Sequence, residues 1–487
     1  MLNLKDALFA FILVALLILV GRFIHQKIRW IQKLYIPESI VAGVVALVLG
    51  PQVLGAIANP NSPLANGVFP ESIREVWSQS PGVFINIVFA ALFLGESIPH
   101  PRDIWNKAAP QVVFGQSLAW GQYVIGILLT LFILIPVFGI DPTAAALIEI
   151  AFEGGHGTAA GMAGTFQELG FPDGADLAVG LATVGIVSGI VTGTVLANWG
   201  RRQGYVQGVQ QNVAEPEWFE DYTHSETPQI RRARYVPSEH ASRSRLMRNM
   251  LVDPLSLHFG FVGLAIAIGW LILQGLVWIE SVTWGVGGFE LMSYVPLFPM
   301  ALVGGIIVQL FMERLGLHPL IIRPLMNNIA GVALDIVVVT ALATISLKVL
   351  GANLGAFLLL SVVGIAWNIF AFLYLAPRVI PSYWFERGLG DLGQSMGVTA
   401  TGILLLRMVD PDNRSGAFES FAYKQLFFEP IVGGGLFTAA APSLIARFGL
   451  VSILLLTGGI LVAWLVFGFL AFGKSARRAR KSEKGIE

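Results

Sequence analysis

Hydrophobic residues run along this chain in long blocks, without the periods of two or 3.6 that mark half-buried strands and surface helices, and about 20 consecutive apolar residues is the length that crosses a bilayer. Eleven blocks reach that scale: Ala7 to Ile24, Ser39 to Ile57, Pro81 to Ile98, Gln111 to Phe138, Ala175 to Trp199, Leu255 to Ile279, Tyr294 to Met312, Ile329 to Val349, Ala356 to Ala376, Phe418 to Ile445 and Leu450 to Phe472. They predict an all-α polytopic membrane protein of about 11 transmembrane helices. In the first block Lys5 is balanced by Asp6 and the basic residues come after the apolar run, so it reads as a retained span and not a leader.

Lys and Arg accumulate in cytoplasmic loops, which orients the chain. Arg22, Lys27, Arg29 and Lys33 place the first loop inside. Arg102 and Lys107, the stretch Arg201 to Arg248, Arg314 and Arg323, and the tail Arg477 to Lys484 then fall inside too, leaving Lys5, Arg74, Lys348 and Arg447 outside. The N-terminus is expected outside and the C-terminus inside. This count closes only if two glycine-rich apolar stretches, about 144–169 and 383–406, each enter and leave on one face. Both are expected to be re-entrant hairpins, the first dipping in from outside and the second from inside.

Transporter folds are often built from repeats inserted with opposite orientation, and the halves on either side of the polar connector 200–252 share landmarks of that kind. IPESIVAGVVAL from Ile36 matches FPMALVGGIIVQ from Phe298, pairing Pro37 with Pro299 and Gly43 with Gly305. EGGHGTAAGMAG from Glu153 takes the place of LGDLGQSMGVTATG from Leu389, and SGIVTGTVLA from Ser188 parallels EPIVGGGLFTA from Glu429. Three landmarks in one order predict two inverted repeats of five spans and one hairpin each, 1–199 and 253–445, followed by an extra span and basic tail, 446–487.

Composition agrees with a membrane protein. Of 487 residues 55% are hydrophobic and only 13% charged, and Lys plus Arg equals Asp plus Glu at 31 each, so no net field favours nucleic acid. The connector has eight Arg and six acidic residues and reads as a solvated cytoplasmic linker. Cysteine is absent, which removes thiolate metal sites, disulfides and thiol nucleophiles.

Lipid offers no hydrogen-bond partners, so broken helices persist only where protein or water satisfies the freed backbone. The hairpin tips meet that condition: Gly154, Gly155 and Gly157 in one, Gly390, Gly393 and Gly397 in the other, let the chain turn and present N–H donors to a carboxylate or carbonyls to Na⁺. His156, Thr158, Asp391, Ser395, Thr399 and Thr401 add side-chain groups, and together with Gly154, Gly155, Gly157 and Gly397 they form the expected substrate site. Ionisable groups inside spans are costly and mark ion paths. Glu153, Asp335 and Glu429, with Gly393 and Gln394, are the expected sodium ligands. No Arg lies deep in either hairpin, so backbone and hydroxyl donors are expected to bind the anion. Scattered pairs such as Gly304 and Gly305 read as close helix packing. A hydrolase on Glu153, His156 and Thr158 is disfavoured, because all three share one turn with no second base or metal set elsewhere.

IPESIVAG from Ile36, GGHGTAAG from Gly154 with the helix to Trp199, and GDLGQSMGVTAT from Gly390 resemble the bacterial sodium/glutamate symporters, and the likeness runs through most of both halves. It implies sodium-coupled glutamate uptake across a bacterial inner membrane by an elevator-like movement of the hairpin-bearing part, in a homodimer that is not an enzyme and needs no cofactor beyond Na⁺ as coupling ion. The chain departs from the family's pattern at Gln394, where other members have apolar residues, and at Ala400, where they have Pro. A sodium- or proton-coupled carrier of another dicarboxylate or amino acid, or a channel, remains the alternative.

Overall fold

A computed structural model describes residues 4–33, 36–59, 61–96, 101–207, 253–287 and 292–483. Most of the connector expected at 200–252 lies outside these residues. The described chain is helical with no strand, and ten of its helices are long and apolar enough to cross a membrane. The protein is therefore a membrane-embedded helical protein. Its helices run α1 Leu4–Lys27, α2 Glu38–Val48, α3 Glu71–Ala91 and α4 Pro101–Leu129. A broken segment follows, with α5 Leu147–Phe152, α6 Gly155–Gly161 and α7 Ala163–Glu168, and then α8 Asp173–Arg202. After the connector come α9 Pro254–Val282, α10 Leu297–Arg314, α11 Arg323–Thr344, α12 Leu354–Tyr374, α13 Trp384–Val409, α14 Ala417–Phe428, α15 Leu436–Ala471 and α16 Gly473–Glu483.

Burial separates outer from inner helices. In α1 the large side chains Leu8, Phe9, Ile12, Leu16 and Leu19 point outward while Ala10, Val14 and Gly21 are buried, the arrangement expected where lipid is the solvent. Only 22% of the most apolar window of α1, α9 and α15 is buried, against 61% in α13, so the glycine-rich α13 sits at the centre.

Two packed bodies result. One is a frame of α1, α2, α3, α9, α10 and α11, in which backbones approach closely: a Cβ on Gly304 would lie 2.0 Å from the Ala265 carbonyl oxygen, and one on Gly305 2.4 Å from that of Ala90. Arg323 at the start of α11 donates to the carbonyls of Ala91 and Leu94, 2.9 Å each, satisfying the frayed end of α3. The second body holds α4, α8, α12 to α16 and both glycine-rich stretches. The bodies meet where Gly157 and Gly161 of α6 face Ile85 of α3, with Phe298 of α10 beside them.

Several spans differ from the apolar blocks. The helix expected from Pro81 begins at Glu71, with Pro81 inside it; the preceding Ser80 hydroxyl bonds back to the Val76 carbonyl at 2.7 Å. The block Phe418 to Ile445 is broken into α14 and the first arm of α15, with residues 429–435 unwound around Pro430 and Gly433 to Gly435. Gly449, at φ 78°, reverses α15 into two arms. Phe437 packs on Trp120 and Tyr123, whereas Phe467 packs on Trp105, so arm 436–448 ascends α4 and arm 450–471 descends it. Beyond it, α16 returns to the base of α13: Arg480 donates to the Ile380 and Pro381 carbonyls at 3.0 and 3.2 Å and lies over the Trp384 ring.

Candidate functional site

Both glycine-rich stretches double back. In α13 a Cβ on Gly390 would lie 2.7 Å from Leu406 Cγ and one on Gly393 2.9 Å from Gly402 Cα, although a straight helix would hold residues 390 and 406 about 24 Å apart. The reversal falls at Gly397 and Val398, the only non-helical backbone within α13. In the first stretch Asp141, Pro142 and Thr143 at one end and Leu169 at the other line a single cavity with Ile445 to Val451, so both ends lie together. Its turn comes at Glu153 to Gly155, where Gly155 has φ 67°, a conformation that costs most residues dearly.

The tips of the two hairpins touch each other and the unwound segment 429–435. Glu149 of α5 ties the first hairpin to that segment: its Oε1 accepts from the Gly433 N–H and the Thr438 hydroxyl, both at 2.8 Å, and its Oε2 from the Tyr123 hydroxyl at 2.5 Å. On the other side the Thr399 hydroxyl, just past the second tip, donates to Glu429 Oε1 at 2.9 Å. Gln122 of α4 donates to the Ser395 carbonyl at 2.7 Å and to Asn368 Oδ1 at 3.2 Å, holding the arm that leads into that tip.

A buried ion pair adjoins the tips. Lys424 of α14 lies 2.9 Å from Asp391 Oδ1, neither side chain having exposed surface, and it also donates to Gln394 Oε1 at 2.7 Å. Gln111 of α4 donates to Asp391 Oδ1 at 3.2 Å and is itself held by the Ser420 hydroxyl at 2.6 Å. Glu153, 3% exposed, lies beside the Ser395 hydroxyl with Lys424 and Asp391 nearby, and neither of its carboxylate oxygens makes a well-formed hydrogen bond. Asp391 Oδ2, the Ser395 hydroxyl and Gln122 Oε1 share that condition. Buried oxygens without partners are costly and uncommon. Among the described residues no group of three His, Cys, Asp or Glu has metal-holding geometry.

The expected site residues divide into three sets. Glu153, Asp391, Gln394, Ser395, Thr399 and Glu429 converge, and Gly154, Gly155 and Gly397 form the turns beside them. Others support the hairpins: the Thr401 hydroxyl bonds to the Gly397 carbonyl at 2.6 Å, His156 Nε2 lies 2.9 Å from the Thr183 hydroxyl of α8, and Thr158 is buried against Gly154 and Gly434. Gly393 faces the opposite arm of its own hairpin and Gly157 faces the frame, so both serve packing. Asp335 lies apart, beside Ser39 and Glu38 within the frame.

Lys424 is the principal residue that the sequence reading passed over. It stands with Phe421, Gln425 and Phe428 at helical spacing inside an apolar block, and that polar seam was the available signal. Its ammonium is engaged by Asp391 and Gln394. No family model matches the chain, and no curated protein matches it.

Proposed function

We propose that the chain is a secondary active transporter that moves an anionic amino acid with a monovalent cation, glutamate with Na⁺ on the resemblance of its motifs to the sodium/glutamate symporters. The observation behind this reading is the meeting of two hairpin tips and one unwound helix at a buried set of unpartnered oxygens. Unwound backbone at membrane depth is tolerated where it lines a site, and opposed hairpins bring such a site to the middle of the membrane. Glu153, Ser395 and the free oxygen of Asp391 are the proposed cation ligands. The start of arm 399–409 and the N–H groups near Gly397 are the proposed partners of a substrate carboxylate, and Glu153 is the available acceptor for the ammonium, since Asp391 Oδ1 is engaged by Lys424.

An inverted repeat is part of this proposal. The helix α2 packs on α11 and its counterpart α10 packs on α3, while α3 and α11 face each other, which is the reciprocity a two-fold axis in the membrane plane produces. Pro stands at the start of both helices, Pro37 immediately before α2 and its matched Pro299 within the first turn of α10. The pairing is imperfect at the fifth span, where α8 is continuous and its counterpart is broken at 429–435. Division into a frame and a hairpin-bearing body supports an elevator-like step, with the small residues Gly157 and Gly161 on the sliding face. The tips meet at Gly155 and Val398, an arrangement that supports a carrier over a channel. The orientation, the inner-membrane location and the homodimer belong to the same proposal.

Uptake of labelled glutamate into proteoliposomes, with an inward Na⁺ gradient, a proton gradient or neither, tests it. Accumulation driven by the Na⁺ gradient and competed by unlabelled glutamate is expected. Glutamate flux indifferent to every cation gradient overturns it, and competition by aspartate and other dicarboxylates ranks the substrate.

A further inference from the structure

Lys424 has the surroundings of a bound cation. Its ammonium is fixed by Asp391 Oδ1 at 2.9 Å and Gln394 Oε1 at 2.7 Å, and its remaining side is covered by the Phe428 and Phe421 rings, whose centroids lie 4.3 and 5.1 Å away. Each ligand oxygen is aimed by a further donor, as the outer shell of an ion site requires: Gln111 Nε2 holds Asp391 Oδ1, and Gln425 Nε2 holds Gln394 Oε1 at 2.8 Å. Room for the stem comes from Gly115 of α4, where a Cβ would lie 2.9 Å from Lys424 Cδ. With two oxygens and two aromatic faces around it, this ammonium is not directed at an incoming carboxylate.

We infer that Lys424 fills, with its own ammonium, a monovalent-cation site built by Asp391 and Gln394 against Phe428, so that a tethered charge stands where a free cation would otherwise bind. Asp391 is then neutralised permanently by the chain, and Glu153 is left as the carboxylate that a transported cation serves. The consequence for coupling rests on the transport reading above; occupancy of the site does not.

The test truncates the tether and supplies its missing part. Lys424→Ala removes the equivalent of n-propylammonium, and thermal unfolding of the purified full chain in detergent is followed in n-propylammonium chloride, NaCl or choline chloride at equal ionic strength. Lys424→Ala is expected to gain a saturable upward shift of several degrees in n-propylammonium, growing with the logarithm of its concentration, that the unaltered chain and Lys424→Met lack. Equal response of all three proteins to each salt overturns the inference, as does aggregation of Lys424→Ala in all three salts, since an open site would be filled by a cation in large excess. Asp391→Asn combined with Lys424→Met removes both charges and should fold and ignore n-propylammonium; folding of Lys424→Met as stably as the unaltered chain, with no gain from adding Asp391→Asn, also counts against a neutralising role. In uptake assays Lys424→Ala should require one more cation than the unaltered chain, seen as a steeper Na⁺ activation curve. Absence of glutamate uptake by the unaltered chain would remove the carrier reading and leave the unfolding result standing.

Discussion

Gly155 and Val398 meet tip to tip: a Cβ built on the glycine would lie 2.4 Å from Val398 Cγ1, and both residues hold positive φ, 67° and 61°. One hairpin can come this close only because the other has no side chain there. Gly155→Val should therefore force the tips apart. Uptake in proteoliposomes is expected to fall more than tenfold while the variant still inserts and elutes as a single species; normal uptake would show that the contact has no part in transport.

Val398 is a β-branched residue at φ 61° and ψ 176°, a region occupied almost only by glycine. Strain of this kind costs on the order of 1–3 kcal/mol and persists where the surroundings impose it. Val398→Gly, a destabilising change in most helices, is expected to leave the unfolding midpoint unchanged or raised, and to make the tip more accessible to proteolysis. A clear drop in the midpoint would mean that side-chain packing at this position outweighs the backbone strain.

Glu149 joins α4, the first hairpin and the unwound segment through three donors. Tyr123→Phe deletes one of them from a buried carboxylate and should destabilise the protein by about 1–3 kcal/mol. Thermal unfolding in detergent measures this directly. No change would indicate that the hydroxyl contributes nothing net to holding the segment.

Glu153 and Asp335 were both expected to bind sodium, and they lie in different bodies of the protein. Glu153→Gln is expected to raise the Na⁺ concentration for half-maximal uptake several-fold, whereas Asp335→Asn should leave it unchanged. The reverse result would move the cation site into the frame.

Thr399 holds Glu429 at the edge of the second tip. Thr399→Val should raise the half-saturating glutamate concentration several-fold with little loss of maximal rate, because the site is loosened and not removed. A fall in maximal rate alone, with unchanged half-saturation, would assign this hydroxyl to the moving step.

Much of the membrane architecture was legible in the chain because lipid imposes a simple rule on length and polarity. Where the rule weakens, the reading slipped. Arg74 and Glu75 interrupt the hydrophobicity of α3, so its first ten residues read as a loop, although Trp77 is buried and donates to the Ala10 carbonyl at 3.0 Å. The unwound 429–435 was hidden inside an unbroken apolar block, since glycine runs suit both packed and broken helices. Glycine alone does not tell tip from packing position either: Gly157 faces Ile85 and Gly393 faces Gly402 and Leu405, neighbours that no local pattern shows. Lys424 went unnoticed because a lone lysine near a span end is ordinary, and its burial depends on α4 and α13, residues hundreds of positions away or folded back beside it.

The reversal at Gly449 decides where α16 packs. Without it the last arm would leave the hairpin-bearing body; with it, arm 450–471 runs back down α4 and Arg480 fastens α16 to the base of α13. The opening helix α1, by contrast, is packed into the frame on α2. Helices α1 and α16 thus belong to different bodies, and the distance between dyes attached to these two helices is a ruler for any sliding of one past the other.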